Sequence, residues 1–163
     1  MIANLIDIIN ADEAIDTWLL LRLAKDTIHK ARRQELLQYG LTPETSAVLH
    51  IIQDLGGSAK PMEISRWTSR KLHSVHGLLE RMENAGLVSK IADSERKNGV
   101  RVTLTDHGHD LYLQTSQLLG QRRIISSLTD KQREQFREIL RILLDAARSE
   151  LGEEGEVVLR PPI

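Results

Sequence analysis

The chain has 163 residues, a formal net charge of −1, 28% charged and 3% aromatic residues, and no cysteine. This length suffices for one domain with its own core, and an aliphatic composition poor in Gly and Pro favours helices over a β-sandwich. The missing thiols exclude disulfides, thiol redox sensing, thiolate zinc sites and cysteine nucleophiles; no apolar run is long enough to cross a bilayer, and the early acids of the N-terminus make a poor signal peptide, so a cytoplasmic location is expected.

From about Asp12 to Leu37, the residues Ile15, Trp18, Leu19, Leu23, Ala24, Ile28 and Ala31 recur at spacings of three and four. This predicts a long amphipathic helix, which Gly40 ends. Thr42-Pro43-Glu44 then supplies an N-cap, a proline at the first helical position and an acid in the first turn. The second helix has Ala47, Val48, Ile51, Ile52 and Leu55 on its apolar face, and Gly56-Gly57 stop it. A third helix is expected from near Pro61 to about Thr68. A fourth spans roughly Leu72 to Ala85, with Val75, Leu78, Leu79 and Met82 inward and Gly86 just past its end. Two β-rich runs follow at 87–92 and 100–104, and Asn98-Gly99 offers turn residues for a hairpin. Thr105 can cap a fifth helix over Leu111, Leu113, Leu118 and Leu119. Thr129 and Gln132 form a capping box for a sixth, which runs to about Leu151 with Phe136, Leu140, Leu143, Leu144, Ala147 and Leu151 on one face. The tail, 152–163, has no helical period and reads as a loose end.

Helix, short turn, second helix, glycine stop and hairpin follow one another over residues 61–105. That order is a helix-turn-helix with a β-hairpin wing, and helix-turn-helix motifs set their second helix in the major groove of DNA. Residues 60–101 hold nine Lys/Arg against five Asp/Glu, while the remainder holds thirteen against eighteen. The segment is therefore the basic part of a slightly acidic protein, as local phosphate contact requires. On the fourth helix the outward face holds His73, Ser74, His76, Gly77, Glu80 and Arg81. Ser and His bond base edges, and Gly77 lets the backbone come close. Arg66, Arg70 and Lys71 flank the start of this helix and suit phosphates. On the wing, Arg96, Lys97 and Arg101 suit the negative potential of a narrow minor groove. A solvated hairpin tip is the plainer account of Arg96 and Lys97, and packing across the hairpin is an equal alternative for Arg101.

Other chemistry finds little support. His73 and His76 stand at i, i+3 but have no acid or thiolate at a spacing that completes a metal site, so neither metal nor cofactor is expected. There is no Gly-x-Ser-x-Gly elbow and no phosphate-cradling glycine loop, so an enzyme is not expected. Trp18, Arg22, His50 and Trp67 are candidates for a cleft, although core packing is the simpler role for the two tryptophans. The first, fifth and sixth helices carry apolar stripes that one winged helix cannot cover. They are expected to pack on a second copy, giving a homodimer that offers two recognition helices to a pseudo-palindromic double-stranded site.

The string from Ser74 to Val88, SVHGLLERMENAGLV, together with Leu41-Thr42-Pro43, Glu63-Ile64-Ser65, Asp93 and Val102-Thr103-Leu104-Thr105-Asp106-His107-Gly108, resembles the MarR family of bacterial transcriptional regulators over about residues 14–151. The resemblance implies a mostly α fold: a winged helix-turn-helix with a two-stranded wing at 41–105, and a dimerisation region from the helices at 1–40 and 106–151. It implies a dimeric DNA-binding regulator, more often a repressor, released by a small aromatic effector. A winged-helix module that binds protein rather than DNA is the alternative. Two departures stand out. The family's wing usually carries Asp-x-Arg where this chain has Arg96-Lys97-Asn98, and Lys60 and Lys71 replace the usual capping Ser or Thr, leaving the starts of the third and fourth helices open.

Overall fold

The computed structural model describes residues 2–93, 99–118 and 120–152, with side chains from residue 12 onward except at Gln121. The elements run α1 (Ile2–Leu37), α2 (Pro43–Asp54), β1 (Ser58–Ala59), α3 (Pro61–Thr68), α4 (Leu72–Asn84), β2 (Val88–Ala92), β3 (Val100–Leu104), α5 (Asp106–Ser116), α6 (Gly120–Ser126) and α7 (Asp130–Glu150). The protein is mostly helical, with a small antiparallel sheet in the order β1-β3-β2.

Local chemistry explains most boundaries. Thr42 caps α2, its hydroxyl accepting the Thr45 N–H at 3.2 Å, with Pro43 in the first turn. Thr129 caps α7 through a reciprocal pair: Gln132 N–H to the Thr129 hydroxyl at 3.3 Å and Thr129 N–H to the Gln132 amide oxygen at 2.9 Å. The close of the wing, Thr105-Asp106-His107-Gly108, does two jobs. Thr105 Oγ1 accepts the Gly108 N–H at 3.0 Å, starting α5, and donates to the Gly86 carbonyl at 2.5 Å. Gly108 then packs so close to Leu87 that an added Cβ would overlap its carbonyl oxygen. Only glycine fits there, and the sequence string owes its glycine to this crossing.

The core is built by α2, α3, α4, the sheet, the last turn of α1 and the second turn of α5. Leu36, Val48, Leu49, Ile52, Ala59, Ile64, Val75, Leu79 and Val102 are wholly buried in it, with Leu111 at its margin. The hairpin register pairs Val88 with Leu104, Lys90 with Val102 and Ala92 with Val100.

Several sequence expectations need correction. The first helix begins at Ile2 rather than near Asp12, since no Gly or Pro between them breaks it. A third strand, β1, joins the two-stranded wing through Ser58↔Thr103 and Ala59↔Val102; two residues leave no periodicity to read. A short helix, α6, lies between the expected fifth and sixth and is likewise too short to show a period. Leu119, Asn98 and residues 153–163, on which parts of the expected fifth helix, hairpin turn and tail rest, lie outside the described residues.

The apolar stripes of α1 and α7 are not covered by the other described residues. Ile15, Trp18, Leu19 and Leu23 on α1 and Phe136, Leu140, Leu143 and Leu144 on α7 are all exposed, and α7 buries no residue. Trp18, expected to pack in a core, is 62% exposed for this reason.

Candidate nucleic-acid interface

The turn between α3 and α4 is closed by α3 itself. Ser69 ends α3 in the left-handed region, at φ 50°. The Arg70 N–H then bonds back to the Ser65 carbonyl at 3.1 Å, and the Ser65 hydroxyl donates to the Arg70 carbonyl at 2.6 Å. Both open helix starts are in place without a side-chain cap from lysine. At α3 the Glu63 carboxylate accepts the Lys60 N–H at 2.6 Å, the half of a capping box that does not need a hydroxyl. At α4 no side chain caps the first turn. The Ser74 and Val75 N–H groups turn back to the Lys71 carbonyl, at 2.9 and 3.2 Å, and among the described residues no side chain caps the two N–H groups before them.

The sequence pattern set the faces of α4 correctly. Val75, Leu78, Leu79 and Met82 are buried. On the other side His73, His76, Glu80 and Arg81 are exposed, and Ser74 and Gly77 are half-buried. The Ser74 hydroxyl lies 3.3 Å from His73 Nε2. At Gly77 an added Cβ would meet only the guanidinium of Arg81, at 3.7 Å. Nothing in the protein's own packing therefore requires glycine at this helix-interior position, where glycine carries a cost of about 1 kcal/mol relative to alanine. Glu83, near the end of α4, holds Lys90 of β2 at 2.6 Å.

The flanking bases differ in their freedom. Arg66, Arg70 and Lys71 are exposed. Arg70 already has a partner, since its Nη2 lies 3.4 Å from Glu44 Oε1 at the start of α2. The same oxygen is 3.9 Å from Nε2 of His29 on α1. The Glu44 carboxyl is held below the ordinary carboxylate range. A backbone hydrogen bond at the helix start is the main cause; the Thr42 hydroxyl and then the charges of Arg70 and His29 add to it, against partial burial.

At the wing, Arg96 and Lys97 lie outside the described residues. Arg101 is half-buried on β3, donating from Nε to the Ser58 hydroxyl at 2.6 Å and from Nη2 to the Ser58 carbonyl at 3.1 Å. Part of its guanidinium thus fastens β1 to β3. The base of the wing is pinned by Asp93, whose buried carboxylate sits 3.3 Å from Lys60 Nζ and whose N–H bonds to the Gly99 carbonyl at 2.8 Å.

Of the remaining sequence candidates, Arg22 is exposed, Trp67 packs at the edge of the core, and His50 stacks edge-on against Tyr112 with ring centroids 5.0 Å apart. Among the described residues no three His, Asp or Glu side chains gather as a metal site, and no helix is long and apolar enough to cross a membrane.

Solved structures match this architecture at about four-fifths of its length. The organohalide-sensing transcriptional regulator RdhR, in its 2,4-dichlorophenol-bound form, is 27% identical with a TM-score of 0.72, covering 80% of this chain and 78% of that one. A cysteine-to-serine mutant of MarR from E. coli, complexed with operator DNA, is 24% identical with a TM-score of 0.72, covering 81% and 96%. The chain has the MarR-family winged-helix fold. The MepR–DNA complex from S. aureus shares that fold at 20% identity and a TM-score of 0.71, covering 78% and 94%. No protein-family model matches the chain, and a search of curated proteins gave no match.

Within the MarR fold, the residues that the sequence alone did not bring into view are Glu44 and His29. Their contacts join α1, α2 and the α3–α4 turn. Such pairings have no signature in a linear pattern, although the acid in the first turn of α2 was visible.

Proposed function

We propose that the protein is a dimeric, sequence-specific DNA-binding transcriptional regulator, most simply a repressor that occludes a promoter. The observation that carries this is α4, with four apolar residues buried on one side and His73, Ser74, His76, Gly77 and Arg81 presented on the other. Its first turn is uncapped and stands beside Arg66, Arg70 and Lys71. In this proposal the three flanking bases, with Arg96, Lys97 and Arg101, meet phosphate or the minor groove, and the α4 side chains read base edges. Not being an enzyme and working without a cofactor belong to the same proposal.

The exposed stripes of α1 and α7 support a dimer built from residues 1–40 and 106–151, leaving 41–105 to DNA. Two copies would offer two α4 helices to the half-sites of a pseudo-palindrome. A small aromatic effector that favours a different spacing of these helices would release the DNA. The 2,4-dichlorophenol-bound relative supports that class of effector.

The test is selection of bound fragments from genomic DNA, followed by affinity measurements at several salt concentrations. Binding should fall steeply with salt; Lys71→Ala should lower the log–log slope by about one, while His76→Ala should alter base preference more than slope. Salt-insensitive binding, or none, would leave a protein-interaction module as the better account.

A further inference from the structure

The carboxylate of Glu44 stands between two basic side chains from different elements. Arg70 Nη2, from the turn that launches α4, is 3.4 Å from Oε1, and His29 Nε2, from the long helix α1, is 3.9 Å from that same oxygen. All three side chains are partly open to solvent, so phosphate can reach the arginine while it keeps this partner. We propose that Glu44 competes with DNA phosphate for Arg70. The inference rests on the DNA-binding function proposed above and adds a regulatory residue to that interface.

The physics has a definite sign. An arginine paired to a carboxylate gains less from a phosphate than a free one, because part of its field is already neutralised. His29 Nε2 lies on the other side of the same oxygen, so the carboxylate that faces Arg70 also joins α1 to the start of α2.

Other charges in the neighbourhood are accounted for. Lys25, Asp26, Lys30, Arg32 and Arg33 lie within about one turn of His29 on α1. Lys25 pairs with Asp26 at 3.0 Å. Arg32 pairs with Glu35 at 3.4 Å, and Arg123 of α6 approaches Glu35 at 3.8 Å.

The experiment is fluorescence anisotropy with a short labelled duplex of mixed sequence at low salt, using the full chain. Glu44→Gln should tighten binding about two- to fivefold, a size fitting a partly exposed ion pair, and should have no effect in an Arg70→Ala background. Glu44→Asp, which withdraws the carboxylate but keeps the charge, should tighten binding too. Equal tightening with and without Arg70 would reduce Glu44 to a background field and overturn the proposal, as would no tightening. Wild type that fails to bind the duplex at low salt would instead overturn the DNA-binding function, and this inference with it.

Discussion

Replacing Gly77 by alanine should move stability and DNA affinity in opposite directions. Glycine inside a helix costs about 1 kcal/mol relative to alanine, and the space around Gly77 holds only the mobile end of Arg81, at an ordinary contact distance. The added methyl group should therefore stabilise each subunit by up to about 1 kcal/mol, or about 2–4 °C in Tm for a chain of this size. If the backbone of α4 lies against base edges, the same methyl group has to displace the helix outward. A loss of tenfold or more in affinity, about 1.4 kcal/mol, is then expected on a selected site. Urea denaturation reports the first effect and anisotropy titration the second. A Gly77→Ala protein that is more stable and binds equally well would refute the close approach of this position to DNA. One that is less stable would show that the glycine answers to the protein's own packing.

Three further outcomes follow from the geometry. Gly108→Ala should be severely destabilising, by about 3 kcal/mol or more, because its Cβ overlaps the Leu87 carbonyl; thermal melts should show a large drop in Tm. Ser69→Gly should stabilise by roughly 1 kcal/mol, since φ 50° penalises a side chain, and an unchanged urea midpoint would indicate that the left-handed turn stores little strain. Glu44 ionises more readily folded than unfolded, so its contribution is complete above the reference value of 4.5 and is lost as pH falls through the lowered folded value. Stability measured across that range should decline less on acidification for Glu44→Gln than for wild type.

Much of the fold could be read from the chain because its signals are local. Thr42 and Thr129 cap helices with partners three residues away, and the faces of α4 follow from Val75, Leu78, Leu79 and Met82 alone. What could not be read depends on distant partners or on very short elements. β1 is two residues long and exists because Ala59 sits opposite Val102 and Ser58 receives Arg101, 43 positions away. Arg101 was legible as a basic residue on a strand, but not as the fastening of that strand. The wing-tip bases Arg96 and Lys97 remain a proposal drawn from composition and motif, while the exposed arc of α4 rests on both pattern and packing.

The sheet order β1-β3-β2 carries a consequence for solubility. Among the described residues it leaves β2 with one side unpaired, a row of amides and carbonyls that could template the strand of a neighbouring molecule. Lys90, in the middle of β2 and held by Glu83, puts a charged group on that strand. At five residues the strand is also too short to reward stacking strongly. The same lysine thus works against edge-to-edge pairing between copies of the chain.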